Sequence, residues 1–180
     1  MQMKDSRLIA APPALVWAAL LNPEVLKASV PGCEELSGSV AEGYEAAVVQ
    51  KVGPVKARFT GLVTFSDIVE GESLTLLGEG KGGAAGFARG EAKVALAPEE
   101  GGEGTMLSYE VDAKVGGKLA QLGSRIIDGF ARKMADDFFA RFAEAVEGPK
   151  EAEEPAEENA EEPTDGEAPK KGWFKRMLRD

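Results

Sequence analysis

Residues 106–148, MLSYEVDAKVGGKLAQLGSRIIDGFARKMADDFFARFAEAVEG, decide the fold because two periodicities meet within them. The first ten residues alternate between apolar and polar, as a strand with one buried face does. After Gly116-Gly117 the apolar period becomes 3.6, with no proline, which predicts one long amphipathic helix over 118–148. The predicted apolar stripe of this helix consists of Leu119, Leu122, Ile126, Phe130, Met134, Phe138 and Phe142.

Period-two alternation also runs backwards from this point to Cys33, with glycines interrupting it at short intervals. Such spacing is typical of a meander of β-hairpins. Together with a first strand at the N-terminus, the pattern predicts seven strands. These are 3–10, 33–37, 43–52, 55–67, 73–81, 86–97 and 104–115.

Two short helices are predicted after the first strand. Pro12-Pro13 suits the first turn of a helix, and Asn22-Pro23 ends it and opens a second one. The sequence therefore predicts an α+β fold: a curved seven-stranded antiparallel sheet wrapped around one long C-terminal helix. A sheet with one apolar face and a helix with one apolar stripe cover each other, and space between them would accommodate a hydrophobic ligand.

Composition excludes several function classes. The chain has no histidine and a single cysteine, Cys33, so His-based catalysis, disulfides and cysteine-cluster metal sites are not expected. A net charge of −10 argues against nucleic acid as a partner. No apolar run is long enough to span a bilayer and no secretory signal precedes the first strand, so we expect a cytoplasmic protein.

Two motifs allow a functional interpretation as well as a structural one. Residues 78–83, GEGKGG, match a dinucleotide fingerprint, but the alternating segment that follows is a strand rather than the required helix. Gly82, Gly83 and Gly86 fit a hairpin or a mobile lip over a cavity. In the long helix, Gly123 and Gly129 indicate either close packing of helix on sheet or room for a ligand.

The apolar side chains of the helix and of the facing sheet are the candidate ligand contacts, with no catalytic or metal-binding residues expected. The predicted ligand-binding residues are Leu26, Phe59, Phe87, Tyr109, Leu119, Leu122, Ile126, Phe130, Met134 and Phe138.

The chain after the predicted ligand-binding domain, 1–147, changes character twice. Residues 148–169 are rich in glutamate and proline and predict a disordered acidic linker. Residues 170–180, KKGWFKRMLRD, predict a basic amphipathic segment that binds anionic membrane, or alternatively a partner protein. The predicted membrane-binding residues are Lys170, Lys171, Trp173, Phe174, Lys175, Arg176, Met177, Leu178 and Arg179.

Four segments over residues 1–146 carry a resemblance to a known family: PGCEEL, KVGPVKARFTGLVTF, GGAAGFARGEAKVAL and GKLAQLGSRIIDGFARKMADDFFARF. The chain resembles the CoxG family of carbon monoxide dehydrogenase subunits, within the Bet v 1 and START-like superfamily of helix-grip proteins. The resemblance implies a cavity and a partner, the aerobic molybdenum carbon monoxide dehydrogenase or a related molybdenum hydroxylase. It also implies attachment to the inner face of the cytoplasmic membrane and a quinone ligand, menaquinone or ubiquinone.

The lead hypothesis is therefore a non-enzymatic accessory protein that binds an isoprenoid quinone and links the enzyme to the membrane. Two alternatives remain open at this point. One is a pure assembly or recruitment adaptor without a ligand, and the other is an enzyme acting on a hydrophobic substrate.

Overall fold

The computed structural model describes residues 1–148, and its strands form one antiparallel sheet. The predicted membrane segment 170–180, and all of the predicted linker 148–169 except its first residue, lie outside the described residues. The pattern of contacts divides the chain into two units, Met1–Glu147 and Gly148–Asp180. The first of these units contains the sheet and all the helices described below.

The sheet has seven strands, and all seven predicted strands are confirmed with ends within two residues of the prediction. They are β1 (Gln2–Ile9), β2 (Cys33–Ser39), β3 (Gly43–Val52), β4 (Val55–Val69), β5 (Ser73–Lys81), β6 (Phe87–Pro98) and β7 (Thr105–Gly116). Their order is β1-β7-β6-β5-β4-β3-β2, so successive strands from β2 to β7 pair as hairpins and β1 returns beside β7. A single 3₁₀ turn, Gly83–Ala85, joins β5 to β6 in place of the helix that a dinucleotide site needs.

The two short helices are also confirmed, as α1 (Pro13–Leu20) and α2 (Pro23–Ser29). Pro13 and Pro23 each occupy the first helical turn, where a missing N–H costs no hydrogen bond. Asn22 caps α2, since its side-chain oxygen accepts hydrogen bonds from the backbone N–H groups of Glu24 and Val25 at 2.8 and 3.3 Å.

The prediction of one uninterrupted C-terminal helix is wrong in one respect. The segment begins with a short helix α3 (Lys118–Gln121), breaks at Gly123, and continues as α4 (Ser124–Glu147). Gly123 has a φ of +92°, a left-handed conformation that a continuous helix does not contain. Close packing of helix on sheet at Gly123 and Gly129 is also wrong, because a Cβ added at either residue would meet no atom within 4 Å.

The tightly packed core lies toward one end of the sheet. Ile9 at the end of β1, Leu107 at the start of β7 and Phe142 near the end of α4 are at most 1% exposed. Val16 and Trp17 of α1 join them in one cluster. Since α1 and the last turns of α4 close this end of the sheet, the middle of the concave face remains for the candidate site.

Candidate functional site

An apolar cavity of about 620 Å³ lies between the concave face of the sheet and α4. Side chains from β1 through β7, from α2 and from α3 complete its walls. This volume falls in the range of roughly 300–1,000 Å³ that is usual for small-molecule sites. The space that the sequence predicted between sheet and helix is therefore present.

Seven of the ten predicted ligand-binding residues line this cavity: Leu26, Phe59, Tyr109, Leu119, Phe130, Met134 and Phe138. Their contact with a ligand stays a prediction. On α4 the lining also includes Ile127, Ala131, Ala135 and Phe139, which were not among the predicted residues. Each of them lies three residues before a member of the predicted stripe, and this spacing is the signal that could have identified them.

The other three predicted residues, Phe87, Leu122 and Ile126, lie outside the lining. Phe87 alternates with Ala88, which faces the cavity, so its ring points outward and is 38% exposed. The Arg89 guanidinium carbon lies 5.9 Å from the centre of this ring. The register of β6 thus places Phe87 on the outer surface.

Ile126 was misplaced because the predicted stripe advanced in steps of four residues. Each such step rotates about 40° around a helix of 3.6 residues per turn, so four steps from Phe142 back to Ile126 amount to roughly 160°. Phe142 is fully buried, whereas Ile126 is 39% exposed. Leu122 precedes the break at Gly123, and both Leu122 and Ile126 lie close to Gly53 in the β3–β4 turn.

The polar side chains of the cavity wall are engaged by the protein itself. The Tyr44 hydroxyl donates to the Leu21 carbonyl at 2.6 Å, and the Gln50 amide donates to the Pro31 carbonyl at 2.6 Å. These bonds satisfy polar groups that would otherwise be costly beside apolar surface. The wall presented to a ligand is therefore almost entirely hydrocarbon.

One ion pair lies beside the cavity, between β1 and α4. The Arg7 guanidinium donates to the Asp136 carboxylate at 2.7 Å and to the Tyr109 hydroxyl at 3.3 Å, and it lies 5.1 Å from the Phe139 ring centre. Burial opposes the charge of Arg7, but the hydrogen bonds to Asp136 and Tyr109 outweigh it and raise the pKa of Arg7. The guanidinium thus stays charged and ties the helix to the edge strand.

Cys33 begins β2 and also lines the cavity. Burial raises the pKa of its thiol, and the thiol lies 3.4 Å from the Glu35 carbonyl oxygen. A raised pKa disfavours the nucleophilic thiolate, so the environment of Cys33 is not that of an activated nucleophile.

The two neighbouring carboxylates of α4 have separate partners. Asp136 pairs with Arg7, and Asp137 accepts a hydrogen bond from Lys133 at 2.7 Å, one helical turn before it. Within residues 1–148 no group of three or more metal-ligating side chains comes together. In the same residues no helix combines the length and the hydropathy needed to cross a membrane.

A curved seven-stranded sheet, a long C-terminal helix and an apolar cavity between them define a helix-grip protein of the START-like class. Residues 6–147 match the family model for the carbon monoxide dehydrogenase subunit CoxG, so the chain belongs to that family. Families with this fold are generally non-catalytic binding proteins. No curated protein matches the sequence significantly.

Solved structures agree with this fold. A conserved protein from Geobacillus kaustophilus is 29% identical, with a TM-score of 0.75 over 81% of this chain and 95% of its own. A START superfamily protein from Mycobacterium smegmatis is 12% identical, with a TM-score of 0.62 over 81% of this chain and 97% of its own. The protein Ara h 8.0201 is 15% identical, with a TM-score of 0.56 over 82% of this chain and 99% of its own.

Proposed function

We propose that this protein is a non-enzymatic carrier that holds an isoprenoid quinone, menaquinone or ubiquinone, in the cavity between sheet and α4. The apolar cavity of about 620 Å³ is the observation that carries the proposal. Its wall offers hydrocarbon side chains, while Tyr44 and Gln50 donate their hydrogen bonds to backbone carbonyls. Such a site favours a molecule whose affinity comes from apolar surface.

The energetics support a ligand without a charged anchor. Burying about 400 Å² of an isoprenoid chain would stabilise the complex by roughly 10 kcal/mol before the costs of association and ordering are subtracted. Phe130, Met134 and Phe138 supply a wall of aromatic rings and a flexible thioether. Met adapts to irregular apolar ligands, which suits a chain of repeating isoprene units.

Membership in the CoxG family supports an accessory role. The name of the family leads us to propose the aerobic molybdenum carbon monoxide dehydrogenase, or a related molybdenum hydroxylase, as the partner. The carrier would then bring a quinone, an electron acceptor, to that enzyme. The basic segment 170–180 is proposed to hold the protein at the inner face of the cell membrane.

A matched pair of substitutions on α4 tests the carrier proposal. Ala131 lines the cavity and Ala140 is exposed on the same helix. We expect Ala131→Trp to fill part of the cavity and to reduce the quinone that copurifies with the full chain at least about tenfold, while Ala140→Trp leaves it unchanged. Organic extraction and mass spectrometry measure the bound quinone, and circular dichroism checks that both variants are folded.

Two results would count against the carrier. One is native protein without any bound or bindable quinone, which would exclude the quinone carrier and leave the adaptor and enzyme alternatives. The other is equal quinone content in the Ala131→Trp and Ala140→Trp variants, which would place the ligand outside this cavity.

A further inference from the structure

Charge is distributed unevenly along the sheet, and three chain segments at one end carry cations without acids. They are 51–56 at the β3–β4 turn, 81–89 at the β5–β6 connection, and 114–126 from the end of β7 through α3 to the start of α4. We call them together the cationic end. Its seven cations are Lys51, Lys56, Lys81, Arg89, Lys114, Lys118 and Arg125.

The three segments contact one another in the folded domain. A Cβ built on Gly53 would lie 3.3 Å from the Ile126 side chain, so the β3–β4 turn touches the start of α4. A Cβ on Gly117 would lie 2.6 Å from the Gly86 Cα, so the β5–β6 connection touches the start of α3. The cations therefore belong to one surface of the protein.

These seven cations are exposed, and none of them forms an ion pair within residues 1–148. The nearest acids in sequence stand two residues outside the segments: Glu79, Glu91, Asp112 and Asp128. Of these, Glu79 lies opposite Arg89 in the register of β5 and β6 without forming an ion pair with it. The chain as a whole has a net charge of −10, so a cluster of unpaired cations is contrary to its composition.

The hairpin turns at the opposite end of the sheet carry only acids. Segments 40–45, 67–72 and 98–104 contain eight carboxylates and no cation. A domain with this arrangement is an electric dipole along its strands. Near an anionic surface it would turn the cationic end toward that surface and the acidic turns away from it.

Exposed apolar side chains stand among the cations. Phe87 is 38% exposed between Lys81 and Arg89, and Ile126 is 39% exposed beside Arg125. Aromatic and aliphatic side chains among lysines and arginines are typical of surfaces that insert shallowly into anionic lipid headgroups. An acidic protein surface is the other chemistry that would match these cations, and the vesicle test below separates the two.

The cavity extends to this end, because Val52, Ala88, Val115 and Leu119 of the cationic end are among its lining residues. We propose that the cationic end is a docking face for anionic membrane lipid, through which a lipid-soluble ligand passes between bilayer and cavity. This surface belongs to the domain itself and acts in addition to the predicted basic segment 170–180. The transfer of ligand through this face rests on the proposed carrier function. The docking of the face on lipid does not, because it needs no ligand.

The test compares two triple variants of the full chain with the same change in net charge. Lys51, Lys81 and Lys118 are replaced by Gln in the first, one from each segment. Lys4, Lys93 and Lys133 are replaced by Gln in the control, since these exposed lysines lie elsewhere on β1, β6 and α4. Each triple variant is made in two versions. One keeps the native tail, and in the other the five tail cations are replaced by Gln: Lys170, Lys171, Lys175, Arg176 and Arg179.

Flotation with phosphatidylcholine vesicles, with and without phosphatidylglycerol, measures docking on ligand-free protein. One basic residue at an anionic surface changes partitioning about fivefold, so three lysines that all contact lipid contribute roughly a hundredfold. The first variant should therefore lose between about tenfold and about a hundredfold of its binding to phosphatidylglycerol vesicles. The control should stay within about twofold. The difference should be largest when the tail cations are absent, because the cationic end then acts alone.

Apolar contact is tested separately by Phe87→Ser against Leu77→Ser, which removes a comparably exposed side chain from β5. Only the first should weaken vesicle binding. Equal losses in both triple variants, or no loss in either, would overturn the docking face. So would a first triple variant that keeps vesicle binding while losing the partner enzyme, which would assign the cations to a protein contact. The quinone content of the protein, measured by mass spectrometry, tests the carrier function and does not depend on these vesicle results.

Discussion

The two helical glycines allow one prediction in which the same substitution has opposite effects six residues apart. Gly129 lies inside α4 with helical backbone, and a Cβ there would meet no atom within 4 Å. Replacing it by alanine removes the entropic cost of glycine in a helix, about 1 kcal/mol, without creating a clash. For a domain of this size that gain corresponds to a rise in melting temperature of roughly 2–4 °C.

Gly123→Ala should destabilise the protein. Its φ of +92° is a conformation that a residue with a Cβ adopts only with strain, about 1–2 kcal/mol in the left-handed region. Lower entropy of the unfolded chain offsets roughly 0.4–1 kcal/mol of this strain. A net loss of about 1 kcal/mol remains, although the space around Gly123 is as open as that around Gly129.

Urea denaturation of the full chain, followed by far-UV circular dichroism, measures both changes against the unmodified protein. Midpoints that move in opposite directions with an unchanged slope support a broken helix. If Gly123→Ala stabilised the protein as much as Gly129→Ala does, residues 118–147 would form one continuous helix, and our assignment of the break would be refuted.

Two polar groups of the cavity wall, one partly and one fully buried, give further predictions. Because burial raises the pKa of Cys33, its thiol should react with a disulfide reagent more slowly at neutral pH than free cysteine does. A bound quinone should slow this reaction further. An unchanged rate on quinone addition would place the ligand away from β2. Tyr44→Phe should cost about 1 kcal/mol in urea denaturation by removing the hydrogen bond to the Leu21 carbonyl. Burial also raises the pKa of Tyr44, so its stabilising effect is present below the unfolded-state value near about 10 and is lost as the pH rises further, a decline that the phenylalanine variant should show less strongly.

The strands could be predicted closely because the alternation of apolar and polar residues allows only one choice of which side chains face the core. In β7, one register puts Leu107, Tyr109 and Val111 on the concave face, and a slip by one residue would bury Glu110 and Asp112 instead. The same parity argument, applied to β6, would have excluded Phe87 from the cavity. Phe87 was predicted as a ligand contact because aromatic residues are generally expected in ligand sites, and that expectation conflicts with strand parity here.

The break at Gly123 could not be read from periodicity. Glycine costs only about 1 kcal/mol in a helix, and helical patterns stand on both sides of it, so sequence alone gives no reason to divide the segment. The ion pair between Arg7 and Asp136 could not be predicted from the sequence for another reason. These residues are 129 positions apart, and only the curvature of the sheet brings β1 beside α4.

Side-chain size along the strands explains why the sheet and helix leave a cavity instead of closing on each other. Toward the acidic turns, Leu96 of β6 is paired with Leu107 of β7, and both contribute large side chains to the core. Six residues farther along each strand, the paired residues are Gly90 and Ala113. The middle of β6 and β7 therefore contributes much less side-chain volume to the concave face than the end near the acidic turns does.

The helix also contributes small side chains to the cavity wall. Its C-terminal half places the stacked rings of Phe138 and Phe142 in the core, whereas Ala135 and Ala131 face the cavity one and two turns before Phe138. Because backbone spacing is fixed by the sheet and by α4, small side chains on both surfaces cannot be compensated by closer approach, and unfilled volume results. The cavity thus has a direction, from a closed aromatic end to an end that carries unpaired cations and exposed Phe87. A carrier that takes an apolar molecule from an anionic bilayer requires unfilled volume and a cationic surface at the same end of the domain, and a protein serving only as a scaffold does not.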